Sequence, residues 1–276
     1  MRPPGAAPCR APFHLQELDA ARFRAKLQVM FPIRDHNPSG RTPYITYGLI
    51  AANIVIFISY WGLFQNPRAL NAFFIDWALI PALVTEGYGF SGLLTSMFLH
   101  GGLTHLAGNM LFLFIFGDNI EDALGHVKYL GFYLASGLIA AMVHYVSAPL
   151  SPIPTVGASG AIAGVMGAYL LMFPKARVDI LVILIVIFKI IPVPAWIMLA
   201  VWFALQLFGG FGPAGDGSGV AYWAHLGGFV AGMALIAPTW LRRGGPAFWS
   251  RTHGHPPHPA GRYTDTTRIP RVGRRR

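Results

Sequence analysis

Residues 157–164 read Gly157-Ala158-Ser159-Gly160-Ala161-Ile162-Ala163-Gly164, and residues 225–232 read His225-Leu226-Gly227-Gly228-Phe229-Val230-Ala231-Gly232. Each run places one polar side chain, the Ser159 hydroxyl or the His225 imidazole, near the start of an apolar stretch that is rich in glycine and alanine. Unpartnered polar groups in a membrane interior cost about a few kcal/mol each. The two runs therefore predict that Ser159 and His225 are a nucleophile and its base.

The composition is that of a membrane protein. Hydrophobic residues make up 54% of the chain and charged residues only 12%, about half the charged fraction of a typical soluble domain. The net charge of +10 belongs to the ends, since residues 1–43 carry +4, residues 242–276 carry +8 and residues 44–241 carry −2. Basic flanks of this kind are typical of cytoplasmic segments beside anionic lipid. We therefore expect membrane lipid, and no nucleic acid, as a partner.

Hydropathy divides the chain into a basic N-terminal tail (1–43), a six-helix membrane domain (44–241) and a disordered basic C-terminal tail (242–276). The predicted spans cover residues 44–64, 93–117, 127–147, 156–173, 193–209 and 220–241. Both tails are basic, so both are expected in the cytoplasm, which requires an even number of spans. The sequence thus predicts an all-α, multi-pass membrane protein.

Residues 178–191 form an apolar segment that does not fit this scheme. The segment is rich in β-branched residues, and its length of about 14 residues is short for a membrane span. Pro192 and Pro194 follow it. We assign it to an interfacial hairpin or short helix on the cytoplasmic side, because a seventh span would oppose the charge pattern.

The unusual polar residues of the predicted spans are expected on the second, fourth and sixth spans only. Besides Ser159 and His225, they are His100, His105 and Asn109. Asn109 lies one helical turn after His105, so both side chains can face one pocket. His100 lies on a different face and is given a lesser role.

Acyl transfer is the chemistry that fits these residues. A serine hydroxyl becomes a strong nucleophile when a base takes its proton, and His225 is the natural base. The oxyanion that forms needs preorganised donors, which His105, Asn109 and the Ser159 backbone N–H can supply. No Asp or Glu lies near His225 in the sequence, which favours a dyad over a triad.

Two other interpretations fit some of these residues. The glycines of the fourth and sixth spans allow the helices to approach closely, and they could serve packing alone. They are Gly157, Gly160, Gly164, Gly167, Gly228 and Gly232. Three intramembrane histidines could bind zinc, but neither a His-Glu-x-x-His motif nor a cysteine ligand accompanies them. We therefore expect no metal and no cofactor.

Four ordered motifs resemble the rhomboid intramembrane serine proteases. They are His100-Gly101-Gly102-Leu103-Thr104-His105-Leu106-Ala107-Gly108-Asn109, Gly117-Asp118-Asn119-Ile120-Glu121-Asp122-Ala123-Leu124-Gly125, Gly157-Ala158-Ser159-Gly160 and His225-Leu226-Gly227-Gly228-Phe229-Val230-Ala231-Gly232. The resemblance covers about residues 44–241. It implies a six-helix core with a water-filled site that opens outward, and substrates that are other membrane proteins, cut within or beside a transmembrane helix.

The resemblance also implies individual roles. It makes Ser159 the nucleophile, His225 the base, and His105 and Asn109 the lining of the oxyanion hole. It implies that Glu121 holds the loop after the second span, although the sequence by itself favours a solvated interfacial carboxylate there.

One departure concerns the base. Some members of the family stack an aromatic residue on the base from the position that Ala163 occupies here, so the group that orients His225 is left open.

Two alternatives remain at this level: a catalytically inactive relative that captures membrane proteins, and a small transporter. The intact Ser159 and His225 oppose the first. The second lacks the paired broken helices that transporters often show. From the size and simplicity of the chain we expect a bacterial inner membrane, and the sequence makes no prediction of oligomeric state.

Overall fold

The computed structural model describes residues 30–184, 187–211 and 221–254, so most of both predicted tails lies outside the described residues. The helices are α1 (Tyr44–Tyr60), α2 (Pro67–Trp77), α3 (Pro81–Thr85), α4 (Gly92–Thr95), α5 (Leu103–Leu124), α6 (His126–Ser147), α7 (Ser159–Met172), α8 (Ala195–Gly210), α9 (Tyr222–Arg242) and α10 (Pro246–Thr252), with 3₁₀ turns at Trp61–Gln65 and Ser96–Phe98. The strands are β1 (Met30–Asp35), β2 (Arg177–Leu184) and β3 (Ile187–Pro194).

The helices identify an integral membrane protein. Within the described ranges, three helical stretches are long and apolar enough to cross a bilayer on their own: Tyr44–Gln65, His126–Ser147 and Tyr222–Arg242. A fourth crossing follows if the bent pair Gly92–Phe98 and α5 counts as one span. The remaining apolar helices, α7 and α8, are shorter. Each of the six predicted spans thus contains a helix, although only some reach full spanning length.

Helix α7 is short because it lies at the centre of the bundle. Its 14 residues extend about 21 Å, less than the roughly 30 Å of hydrocarbon. Every position from Gly160 to Tyr169 is buried, and a helix that is buried on all sides is a core helix with neighbours around it. Ser159 is the first residue of this central helix.

The span predicted over residues 93–117 is divided by a sharp bend. The chain bends by 89° between Gly92–Phe98 and α5, which starts after Gly102. The Tyr60 hydroxyl stabilises the break, since it accepts a bond from the His100 backbone N–H at 2.7 Å and donates to the His100 carbonyl at 2.9 Å. This side-chain contact satisfies backbone groups that a helix would otherwise pair.

A three-stranded antiparallel sheet accompanies the mostly helical fold. The order is β1-β2-β3, and β2 and β3 form a hairpin whose register runs from Arg177 opposite Pro194 to Leu184 opposite Ile187. Of the two structures expected for residues 178–191, the hairpin is the one observed. β-branched side chains favour strands, and prolines are tolerated near the end of an edge strand such as β3.

Strand β1 corrects the boundary predicted at residue 43. The Asp179 carboxylate on β2 accepts bonds from Arg34 at 2.9 Å and from His36 at 2.7 Å. Desolvation raises the pKa of Asp179, but these hydrogen bonds and charges lower it overall. Residues 30–43 therefore belong to the folded domain.

The C-terminal boundary also moves. Residues 242–254 do not form part of a disordered tail, because α10 packs against the bundle. Phe248 is buried, and the Trp249 indole N–H donates to the Leu171 carbonyl at 2.9 Å. This bond ties α10 to the C-terminal end of α7.

We predict that Asp35 makes stability depend on pH. Its carboxylate accepts bonds from the Tyr169 hydroxyl at 2.8 Å and the Asn119 amide at 3.0 Å, while burial, aided by the nearby Asp118, raises its pKa from 3.8 to about 7. A raised carboxyl pKa means that the folded state holds the proton more tightly. The stability that Asp35 contributes is fully present below the pKa that its carboxyl has in the unfolded chain. It is lost as the pH rises towards 7.

The measurement is the unfolding temperature in detergent at pH 5.5 and pH 8. Between pH 5.5 and pH 8, the unfolding temperature of the wild-type protein should fall by several degrees more than that of Asp35→Asn. Asp122→Asn, at a carboxylate that lies close to the Arg41 guanidinium, is the matched control and should keep the wild-type pH dependence. An identical pH response of Asp35→Asn and wild type would contradict the prediction.

Candidate active site

Ser159 and His225 meet at the N-terminal ends of α7 and α9. The Ser159 Oγ and the His225 Nε2 are 2.7 Å apart, which is within hydrogen-bond reach for a hydroxyl and an imidazole. Both residues are half-buried. An imidazole whose Nε2 carries a lone pair can take the hydroxyl proton at this distance.

Backbone contact between α7 and α9 produces this distance. A Cβ added to Gly228 would lie 2.0 Å from the Gly160 carbonyl oxygen, and one added to Gly232 would lie 1.9 Å from the Gly164 carbonyl oxygen. Even alanine therefore does not fit at either position without a shift of backbone. The glycines let the two helices touch, as small residues spaced four apart do in membrane bundles.

The ring of His105, a residue of α5, lies beside Ser159. A Cβ on Gly157 would come within 2.9 Å of the His105 Cε1 and Nε2 atoms and 3.4 Å of the Ser159 Oγ. Gly157 has φ +135°, a conformation that side-chain-bearing residues rarely adopt. The Gly101 backbone N–H donates a long bond of 3.4 Å to the His105 Nδ1. This bond assigns the lone pair to Nδ1 and therefore the proton to Nε2, the nitrogen beside Gly157.

Asn109 lies one turn further along α5 and is 7% exposed. Its amide nitrogen donates to the His105 carbonyl at 3.1 Å. An amide nitrogen carries two hydrogens, so one N–H remains available for a bound group.

These residues line one open cavity of about 630 Å³. Its walls include Gly101, His105, Asn109, Val156, Ser159, Trp202 and His225. A cavity of this size accommodates several residues of an extended peptide or a small organic molecule. Ser159, His225, His105 and Asn109 therefore line a single accessible space.

The family model for the Rhomboid domain matches residues 88–242, more than half of the chain. The chain belongs to the rhomboid family. This family is in general one of membrane-embedded serine proteases, and some of its members are inactive.

Similar proteins include the putative rhomboid protease YdcA of Bacillus subtilis, 44% identical over 80 residues that make up 29% of this chain and 40% of that protein. Rhomboid protease GluP of the same organism is 38% identical over 130 residues, 46% of this chain and 24% of GluP. Rhomboid protein 1 of Saccharomyces cerevisiae, a mitochondrial protein, is 29% identical over 195 residues, 68% of this chain and 51% of the relative. The chain thus spans about a quarter to a half of these relatives' lengths.

His100 contributes to the rhomboid site through packing. Its side chain is fully buried, and its ring meets the His105 ring edge to face with centroids 5.2 Å apart. Neither ring nitrogen has a hydrogen-bond partner among the described residues. His100 therefore lies behind His105, and its lesser role stays a prediction.

Glu121 fixes two elements at the other end of α5. Its carboxylate accepts bonds from the backbone N–H groups of Ile45 at 2.9 Å and Thr46 at 2.8 Å, and from the His126 ring at 2.5 Å. A carboxylate at a helix N-terminus satisfies free N–H groups, so Glu121 holds the start of α1. Its side chain is 1% exposed, and the solvated-carboxylate alternative is therefore wrong.

The expectation that polar residues lie on the second, fourth and sixth spans only is also wrong. His144 on α6 bonds to the Thr155 hydroxyl at 2.9 Å and lines a cavity of about 30 Å³ that Ser159 also lines. Gln206 on α8 bonds to the second ring nitrogen of His225. A lone amide within an apolar helix was the sequence signal for Gln206.

Proposed function

We propose that the chain is an intramembrane serine endopeptidase that cleaves transmembrane segments of other membrane proteins. The observation that carries the proposal is the 2.7 Å contact between Ser159 Oγ and His225 Nε2, at the wall of a cavity that is open to the exterior of the bundle. Membership of a family of serine proteases supports the same chemistry.

The reaction proceeds in two halves. His225 Nε2 takes the Ser159 proton as Oγ attacks the carbonyl carbon of the scissile bond, and a tetrahedral intermediate forms. The imidazolium then gives its proton to the amine, the C–N bond breaks and an acyl-enzyme remains. Water, deprotonated by His225, attacks the acyl carbon, and the Ser159 oxygen leaves with the returning proton.

His105 and Asn109 form the oxyanion hole in this proposal. His105 and Asn109 both line the cavity that Ser159 lines, and each has an N–H group, the His105 Nε2–H and the second Asn109 amide N–H, that is left for an oxyanion. The Ser159 backbone N–H is a third donor, because it belongs to the first turn of α7, where N–H groups lack intrahelical partners.

The proposal includes a topology. The six helices at the predicted spans cross or enter the bilayer, with both termini in the cytoplasm, the sheet on the cytoplasmic side and the cavity facing outward. The bacterial inner membrane remains our proposed location, although mitochondrial relatives are also similar to the chain. The proposed mechanism uses no cofactor, because His225 carries every proton transfer and the oxyanion donors only form hydrogen bonds.

The inactive-relative alternative predicts a binding cavity without an activated serine. The short Ser159–His225 contact disfavours it, since capture of a membrane protein does not require a base beside a hydroxyl.

Cleavage of a single-span reporter tests the function. The purified chain, reconstituted with the reporter in liposomes, should generate two fragments whose new termini lie within or beside the reporter span. An activity that persists in Ser159→Ala, or a reporter panel that stays intact while the protein is folded, would contradict the proposal.

Asn109→Ala should lower the turnover of the same reporter by roughly 10²–10³-fold, the loss that removal of one full oxyanion donor causes. The KM should change little, because the donor acts on charge that develops in the transition state. The check is a kcat and KM determination in liposomes. Wild-type turnover in Asn109→Ala would reduce this residue to a packing role.

A further inference from the structure

His225 has two contacts from one face of α8 that the catalytic steps do not use. The Gln206 Oε1 lies 2.7 Å from the His225 Nδ1. The Trp202 ring packs on the imidazole, with centroids 5.8 Å apart and planes inclined by 36°. Residues four apart on a helix share a face, so α8 presents both groups to the same ring.

The hydrogen bond to Gln206 has a defined direction. An amide oxygen has no hydrogen and can only accept, so the His225 Nδ1 must carry the proton. The neutral ring then has its lone pair on Nε2, the nitrogen that faces the Ser159 Oγ. This is the tautomer that a general base for Ser159 requires, and the opposite tautomer would direct an N–H at the hydroxyl.

We infer that Gln206 is a positioning residue that fixes the tautomer and orientation of His225, with Trp202 restraining the face of the ring. The inference rests on the proposed function, because it assigns Gln206 a role in that same dyad. Gln206 and Trp202 thus orient His225 in place of the aromatic residue that some family members have at the position of Ala163, which is too small to stack on the base. Both restraints come from α8 and neither from the serine helix.

The alignment of Ser159 and His225 then depends on the position of α8 against α9. Much of α8 is exposed on its outer side, including Leu205 at 46% and Phe208 at 75%. Its C-terminal end is held close to α9, because a Cβ on Gly209 would lie 2.3 Å from the Tyr222 ring. A displacement of α8 from α9 would remove the Gln206 and Trp202 contacts together, while the Ser159 helix stays in place.

The test measures the rate at which a fluorophosphonate probe labels Ser159 in the full chain in detergent. The probe reports nucleophile activation without a bound peptide segment. Gln206→Met, which keeps the length and removes the acceptor, should slow labelling about 3- to 10-fold, the factor that one neutral hydrogen bond contributes. Gln206→Glu keeps an oxygen acceptor for the Nδ1–H and should restore the rate to near that of wild type.

A second pair of variants tests the docking of α8 without altering Gln206. Gly209→Ala introduces a methyl group against Tyr222 and should slow labelling. Gly210→Ala is the matched control, since its Cβ would meet Tyr222 at an ordinary 3.5 Å, and it should label at the wild-type rate. Unfolding temperatures, compared in parallel, separate slower chemistry from lost fold.

The outcomes distinguish a failure of the positioning role of Gln206 from a failure of the proposed function. Equal labelling rates for Gln206→Met and wild type, or slow labelling of Gln206→Met and Gln206→Glu alike in folded protein, would overturn the positioning role. If Gln206 variants fail to fold, labelling of Gly209→Ala at the Gly210→Ala rate overturns it instead. An unlabelled wild-type protein would contradict the proposed function itself.

Discussion

Ser159→Ala is expected to lower reporter cleavage by at least about 10⁴-fold, and His225→Ala to lower it by a similar factor. In the proposed mechanism the hydroxyl and the imidazole, 2.7 Å apart, act as one unit, so removal of either would leave only binding and the proposed oxyanion donors. Effects of such a unit are not additive. The double variant should therefore be no slower than either single variant.

The measurement is kcat for the reporter in liposomes, with Ser136→Ala as the matched control. Ser136 is a buried serine on α6, and its hydroxyl has no hydrogen-bond partner among the described residues. Its variant should keep wild-type turnover. Additive losses in the double variant would show that the two residues act independently, contrary to the mechanism.

Gly232→Val is expected to cause the largest loss of stability. Its Cβ would overlap the Gly164 carbonyl oxygen at 1.9 Å, and backbone atoms of two packed helices cannot rotate away as a flexible side chain can. Overpacking of a core costs about 1–3 kcal/mol and sometimes more, and the larger, branched valine should exceed that range. Separation of α9 from α7 would also move His225 away from Ser159.

Thermal unfolding and probe labelling, measured together, check this prediction. Gly131→Ala on α6 is the control, because its Cβ would meet no atom within 4 Å. Alanine is the better helix former by about 1 kcal/mol, so this control should be neutral or slightly more stable. A Gly232→Val protein with wild-type unfolding temperature and labelling would show that the helices are not in backbone contact.

The sequence predicts those features whose causes lie within one helix. In both α7 and α9, one glycine follows another after four residues, and this spacing predicts helices that approach closely. Ser159 and His225 each precede an apolar stretch in the sequence, which predicts their places near the starts of these helices. The shared helical face of His105 and Asn109 is equally local. These features need only helical periodicity and residue size.

Other features depend on contacts between distant segments, which local patterns do not contain. The break before α5 depends on the Tyr60 hydroxyl, 40 residues from His100. The sheet needs β1, which the sequence presents as part of a basic tail, to pair with β2. The orientation of His225 depends on Gln206, which a helix-by-helix interpretation gives no reason to pair with an imidazole on another helix.

The site map of a fluorophosphonate adduct tests the central claim most directly. After reaction of the folded wild-type chain, peptide mass spectrometry should find the phosphonate on Ser159 alone among its serines, and His225→Ala should carry almost none. Equal labelling of wild type and Ser159→Ala, or an adduct that His225→Ala forms at the wild-type rate, would contradict the account.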